Sequence, residues 1–244
     1  MIDAHTHLIP QHLPQLKELP PEMRLIANAQ TPEEAGLLLS KREPRLFVSV
    51  GLHPWQADRF SVEEFQPYYA RAAAVGEIGM DSVWCEVPLK RQEEVFCRQL
   101  ELAEQLQKPV ILHTKGCEKR ILPRLSCFSG RKLIHWYSST DYLEDYLALD
   151  CYFSVGPDLS DEAVRRVACS APIHRLLLET DGIDAIAWAT GKQIAFREVP
   201  AFLESQAARV AELRGISKEV LEAQMEENLC TFLGIPPLEG GCSE

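Results

Sequence analysis

Five short polar islands each close an apolar run in this 244-residue chain. They are Asp3-Ala4-His5-Thr6-His7, Gly76-Glu77-Ile78-Gly79, His113 after residues 109–112, His135 after residues 132–134, and Glu179-Thr180-Asp181 after residues 176–178. Imidazole nitrogens and carboxylate oxygens together suit hard-to-borderline divalent cations. His5, His7, Glu77, His113, His135 and Asp181 therefore form a candidate ligand set for a pair of such ions, and the chemistry they would support is hydrolysis. His5 and His7 stand one residue apart, so on an extended backbone both side chains point the same way, as two ligands of one ion must. Each island alone has a plainer explanation. A His-x-His can be surface or packed histidine, Glu77 can be solvated, a single buried histidine can be hydrogen-bonded, and Asp181 before Gly182 can be a turn residue. Their recurrence at strand ends favours the metal. Asp3 has two readings, a carboxylate that fixes an imidazole tautomer or a strand-end hydrogen bond.

The elements that must position these residues alternate from end to end. Apolar strand patterns occupy 2–6, 24–27, 46–50, 74–78, 110–112, 132–134, 152–155 and 176–179. Helical patterns occupy 31–41, 61–72, 89–107, 119–125, 142–149, 161–169, 196–214 and 218–233. Thr31-Pro32-Glu33-Glu34 and Ser61-Val62-Glu63-Glu64 read as capping boxes with acidic first turns. Eight strands with intervening helices predict an α/β chain folded as a (β/α)8 TIM barrel, one domain over residues 1–244. Such barrels carry their reactive groups at the C-terminal ends of the strands. A dinuclear metal site is expected there, because every island ends a strand. Only the Pro/Gly-bearing tail after Phe232 looks loose, with Cys242 exposed in it.

Other residues face the same mouth. His53, in Gly51-Leu52-His53-Pro54-Trp55, ends the third strand and is favoured as a substrate contact over a ligand. Lys115, two residues beyond His113, would point to the same side as that histidine and could meet a phosphate. Lys119, Arg120 and Arg124 follow, as a solvated helix face or as a phosphate-facing rim. Trp55, Trp84 and Trp136 fall just beyond strand ends and would either pack a lid or stack a substrate ring. His12 and His174 are expected at the surface. The eight cysteines form no Cys-x-x-Cys pair and read as buried or free thiols. A formal net charge of −11 argues against a general grip on duplex nucleic acid but not against phosphate chemistry, since bound cations reverse the local field. No stretch is long and apolar enough to span a bilayer, and the chain opens directly on the His-x-His island. The expectation is a cytoplasmic protein with no membrane association and no obligate protein partner.

In order and spacing the islands, with Gly51-x-His53-Pro54, Gly76-Glu77-Ile78-Gly79-Met80-Asp81 and Pro109-Val110-x-Leu112-His113, resemble the TatD-related metal-dependent hydrolases. Arg91-Gln92 to Leu102-Ala103, and Asn228 to Phe232-Leu233-Gly234, extend the resemblance over nearly the whole chain. The resemblance implies a TIM-barrel phosphodiesterase or deoxyribonuclease acting on nucleic-acid ends through a metal-activated water. It also implies two divalent ions, magnesium, manganese or zinc. His5, His7 and Asp181 would hold one ion, Glu77 would bridge, and His113 with His135 would hold the other. Asp181 would orient or deprotonate the water, and Glu77 and Asp181 would be the catalytic carboxylates. The chain departs from the family pattern around this set. Lys115 stands where an Arg is usual, Trp55 where a second histidine is, and Ser82 where an aromatic is. His135 is followed by Trp136-Tyr137, and the Glu-Thr-Asp motif runs into Gly182-Ile183-Asp184 where a proline is usual. The ligand pattern is intact while the residues lining it have changed. DNA or another phosphoester is the leading substrate. The alternatives are a metallohydrolase of small ester, amide or phosphomonoester substrates, and a non-catalytic barrel used for binding.

Overall fold

The computed structural model describes residues 1–236; the expectations for Cys242 and for the tail beyond Pro236 lie outside it. Eight strands form one sheet: β1 Ile2–Thr6, β2 Arg24–Ala29, β3 Leu46–Val50, β4 Ala74–Gly79, β5 Val110–His113, β6 Lys132–Ile134, β7 Tyr152–Val155 and β8 Leu176–Leu178. All pair in parallel and in chain order. Helices cover the outside, so most strand residues are buried whichever way they point. That is why runs such as Val110-Ile111-Leu112 are continuously apolar instead of alternating.

The seam between first and last strands is sealed by side chains and one main-chain bond. The Asp181 N–H donates to the carbonyl of His5 at 2.9 Å. The Asp3 carboxylate accepts the Thr180 N–H at 3.0 Å and its hydroxyl at 2.6 Å. Of the two readings of Asp3, the structure has the strand-end hydrogen bond. Burial raises the Asp3 carboxyl to about 7, against the opposing pull of the Thr180 bonds.

The helices are α1 Pro32–Leu39, α2 Gln66–Tyr69, α3 Leu89–Gln105, α4 Glu118–Leu125, α5 Leu143–Ala148, α6 Glu162–Ser170, α7 Ile183–Thr190, α8 Val199–Arg214 and α9 Lys218–Leu233. Thr31 caps α1 by accepting the Glu34 N–H, but Glu34 reaches back to the Gln30 N–H, so the box is one residue wider than expected. The expected 61–72 helix divides into a 3-10 segment, Val62–Phe65, and the single turn of α2. Pro67 lacks the N–H that would bond back to Glu63 and extend a regular helix. Helix α7 was not expected. Its sequence, Ile-Asp-Ala-Ile-Ala-Trp-Ala-Thr, has apolar residues all round, and only Ile186 is fully buried. Periodicity has nothing to detect there.

His12 also departs from expectation. It is buried and stacked on Phe196, ring centroids 4.7 Å apart, because the 3-10 segment Leu13–Glu18 packs on Phe196–Glu198. His174 is exposed. The seven described cysteines are free, with Cys117, Cys151 and Cys230 buried. Among the described residues no helix is long and apolar enough to cross a membrane.

Candidate metal centre at the barrel mouth

The strand ends bring His5, His7, Glu77, His113, His135 and Asp181 into one cluster around the Glu77 carboxylate. Its two oxygens divide the imidazoles between them. Oε2 faces His5 Nε2 at 3.4 Å and His7 Nε2 at 3.5 Å. Oε1 faces His113 Nδ1 at 2.8 Å, His135 Nε2 at 2.7 Å and His53 Nε2 at 3.2 Å. Asp181 Oδ1 joins the first side, 3.2 Å from His5 Nε2 and 3.3 Å from His7 Nε2. The position of Glu77 depends on a close approach between β4 and β5. Gly79 has φ +144°, and a Cβ there would lie 1.9 Å from the His113 carbonyl oxygen, so no other residue fits.

The donor set fits divalent cations. Ring nitrogens confront each other in pairs, His5 Nε2 and His7 Nε2 at 3.4 Å, His113 Nδ1 and His135 Nε2 at 3.3 Å. Their lone pairs repel unless a cation or a proton lies between them. The electrostatics show the same demand for positive charge. Burial opposes ionisation of Glu77, yet His135, His53 and His5 together with the His113 bond hold its carboxyl well below the usual range. Asp181 is also held low, burial being outweighed by bonds to His5 and His7. His7 is raised to about 10, since the Asp181 and Glu77 bonds overcome the burial that would lower it. His135 and His113 are raised for the same kind of reason, against burial: by the charges of Glu77 and Glu179 at His135, and by bonds to Asp81 and Glu77 at His113.

The partners behind each ring fix which nitrogen faces the cluster. His7 Nδ1 donates to the carbonyl of Asn28 at 3.1 Å, leaving Nε2 as the free lone pair. His113 Nε2 donates to Asp81 Oδ2 at 3.0 Å, leaving Nδ1. His53 is arranged the other way. Its Nδ1 accepts the Trp55 backbone N–H at 3.2 Å, so the proton sits on Nε2 and is donated to Glu77. That tautomer makes His53 a donor to Glu77, not a ligand. At 3% exposed, its ring offers little surface to a substrate, and burial lowers its basicity despite Glu77. Two further carboxylates, left without roles when the motifs were read, belong to this layer. Asp81 is fully buried and accepts from His113, from Trp55 Nε1 at 2.7 Å, and from the backbone N–H groups of Val83 and Trp84 at 2.7 and 2.9 Å. Burial opposes its ionisation, but these bonds, that of His113 foremost, keep its carboxyl far below the usual range. Glu179 accepts the Ser154 hydroxyl at 2.6 Å on one oxygen and turns the other toward His135 Nδ1, 3.6 Å away. His5 Nδ1, His135 Nδ1 and that Glu179 oxygen are buried without hydrogen-bond partners, and the three residues lie close enough to form a third donor group.

Helix α3 anchors the loops that carry these residues. Gln92 brackets Asp81 by accepting its N–H at 2.8 Å and donating to its carbonyl at 3.0 Å. Gln99 does the same for Leu52, beside His53, at 2.7 and 3.0 Å. Both amides are buried, and they stand seven residues apart on one helix face. Nothing in the sequence marks the two glutamines, because only their contacts with distant loops bury them.

The rim around the cluster is aromatic and only locally basic. Lys115 Nζ donates to Ser138 Oγ at 2.8 Å and lies 4.7 Å from the centre of the Trp84 ring. Arg120 and Arg124, by contrast, bond to Glu93 on α3. Of the two readings of these arginines, the ion pairs with Glu93 favour the solvated helix face. Trp55 is tied to Asp81, while Trp84 and Trp136 each make an edge-to-face contact with Trp188 of α7.

Comparison with known proteins adds sequence and fold relatives. A family model described as TatD related DNase matches residues 2–234. The 3'-5' ssDNA/RNA exonuclease TatD of Enterobacter lignolyticus is 28% identical over 227 residues, covering 87% of each chain. The same-named protein of Klebsiella pneumoniae is 30% identical over 201 residues, 77% of this chain and 76% of that one. Among solved structures, the TatD homologue YjjV of Escherichia coli K12 superposes with a TM-score of 0.82 at 24% identity, over 97% of this chain and 98% of that one.

Proposed function

The chain belongs to the TatD-related DNase family of metal-dependent hydrolases, and from that membership we propose a two-ion phosphodiesterase that trims the ends of single-stranded nucleic acid. The observation that supports it most is the division of the imidazoles between the two oxygens of Glu77. His5, His7 and Asp181 would hold one ion, His113 and His135 the other, and Glu77 would be shared between them. Zinc takes imidazole and carboxylate donors alike, whereas magnesium or manganese would depend chiefly on Glu77, Asp181 and water. When bound, the ions supply Lewis acidity toward phosphoryl oxygens and a water that ionises near neutral pH.

The side chains do the rest. Asp181 is ionised and partly open to the mouth, so it orients the attacking water and takes its proton. The water oxygen joins phosphorus, the ester bond to the departing sugar oxygen breaks, and that oxygen takes up a proton. Asp81, His53 and Glu179 position His113, Glu77 and His135, while Lys115 meets a phosphate of the strand. The exonuclease names of the relatives support nucleic acid over small esters. The test is a screen of ion-reconstituted protein over single-stranded DNA, RNA, duplex DNA, small phosphoesters, carboxylic esters and amides. Single strands should be shortened from an end, and a chelator should stop it. Hydrolysis of esters or amides alone would replace this reading with the small-molecule one.

A further inference from the structure

Trp84 and Trp136 from two loops and Trp188 from helix α7 come together at the mouth. The ring of Trp188 stands edge-to-face to Trp84 at 5.8 Å and 82°, and to Trp136 at 5.9 Å and 71°. Trp188 is 70% exposed and Trp84 50%, while Trp136 is partly buried against the core, so the cluster presents Trp188 and one side of Trp84 to water. Large exposed aromatic clusters are costly to a soluble surface and mark places where something binds. Every member hangs directly from the metal centre. Trp136 follows His135, the Trp84 N–H is bonded to Asp81, and Trp188 sits on the helix that begins two residues after Asp181. Lys115, two residues beyond His113, places its ammonium over Trp84 and is steadied there by Ser138.

We propose that Trp188, Trp84 and Trp136 form a stacking subsite for one unpaired nucleobase of the substrate strand, with Lys115 on the adjoining phosphate. The proposal rests on the nucleic-acid reading of the same site and specifies which part of the substrate the rim recognises. The occupant follows from the chemistry present. An indole platform beside a single ammonium, a few residues from a phosphoryl-transfer centre, matches a nucleotide's flat base and its anionic phosphate. Base–aromatic stacking tolerates any sequence but needs an unpaired base with a free face. The subsite would thus favour single strands over duplex without reading sequence. A chain with net charge −11 would also rely on stacking for much of its hold on a strand.

The test pairs a deletion on the protein with one on the strand. The ion-loaded protein is titrated with a short single-stranded oligodeoxynucleotide carrying hydrolysis-resistant phosphorothioate linkages. An abasic residue is placed in turn at each of the terminal positions. Trp188→Ala should weaken binding about tenfold, within the range for loss of one base stack. One abasic position should weaken wild-type binding by the same factor and have no further effect on Trp188→Ala, while Trp188→Phe should retain most of the affinity. Trp188 is exposed, so the variant should fold; matching melting curves check this. Wild-type affinity in Trp188→Ala, a loss shared equally by every abasic position, or no binding by the wild type would overturn the proposal. Cleavage of the unprotected strand is scored separately. Cleavage without a Trp188 effect overturns the subsite alone, and base-dependent binding without cleavage overturns the phosphodiesterase reading alone.

Discussion

The ligand ring and the rim just outside it are built by opposite rules. In the ring, side chains leave strand ends, are buried or largely so, and two of the imidazoles are backed by a fixed partner, Asn28 behind His7 and Asp81 behind His113. On the rim, Trp84, Trp188 and Lys115 leave loops or a short helix and meet solvent, touching mainly one another. A buried ring can hold donors in a geometry that disfavours them without cations, because the surrounding barrel over-determines their positions. An exposed rim cannot store such strain, but it can change without unfolding the barrel. The reaction type therefore belongs to the strand ends and the substrate preference to the loops.

If that division holds, the largest effect comes from Glu77. Glu77→Gln removes the charge that both groups of imidazoles face, and the ring would then hold its cations poorly. Bound-ion content measured after gel filtration should fall, and strand cleavage should fall by more than about a hundredfold, beyond the lower range for acid–base loss. Full ion content with wild-type cleavage would make Glu77 a structural loop residue. Asp181→Asn comes next. It keeps the size of the side chain and removes the base, so turnover should fall roughly a hundredfold or more. Melting temperature should change little, since the main-chain bond from Asp181 to His5 remains. Unaltered turnover would move the base role elsewhere.

Asp81→Asn probes whether the backing layer belongs to the ring. Asn can still accept the Val83 and Trp84 N–H groups on its one oxygen, but its amide NH2 then stands where the charged oxygen accepted from Trp55 Nε1 and His113 Nε2, and it can accept from neither. Loss of an outer carboxylate on a metal-bound histidine typically costs about 10–100-fold in metal affinity or activity. A titration of activity against added ion should shift to higher concentration by that order. A curve identical to wild type would confine Asp81 to holding the rim.

The same division explains what could be read in the sequence. Strand ends were legible because buried parallel strands give continuous apolar runs, and a His, Glu or Asp closing such a run stands out. The barrel and the convergence of the five islands follow from that signal. The backing layer was not legible. Asp81, Glu179, Gln92 and Gln99 are ordinary polar residues until long-range contacts bury them, as Gln99 is by Leu52, 47 residues away. Trp188 was missed for another reason. Its helix carries apolar residues all round and exposes Trp188 beside Asp184, so no amphipathic pattern marks it. His53 was placed at the right mouth, but its tautomer depends on a turn, Trp55 N–H onto Nδ1, that no spacing reveals.

On the rim, Lys115 should give a smaller and more selective effect than any ring residue. Lys115→Ala removes one phosphate-facing charge, so KM for a single strand should rise several-fold while kcat changes little. The slope of log KM against log salt should become shallower, as each lost phosphate contact on a single strand removes about 0.7 of a unit. Lys115→Arg should keep binding, and could pair a phosphate through two bonds. KM values indifferent to both changes and to salt would favour an uncharged substrate.

The smallest effect is expected at Glu93, and it separates the basic residues that serve the mouth from those that do not. Arg120 and Arg124 both bond to Glu93, away from the ring, so Glu93→Gln should leave KM and its salt dependence unchanged. Exposed ion pairs contribute little to stability, and here the sign of the pH dependence identifies the contribution. The bond from Arg120, helped by that from Arg124, holds the Glu93 carboxyl below its ordinary value against the opposing effect of burial. A lowered carboxyl stabilises the fold fully above the unfolded-state value and loses that stabilisation as pH falls through the folded one. The melting temperature of wild type should therefore exceed that of Glu93→Gln slightly at neutral pH, and the gap should close on acidification below the usual glutamate range. A gap that widens in acid would mean the pair is not what restrains Arg120. A change in KM on freeing the two arginines would return them to the phosphate path and extend the rim beyond Lys115.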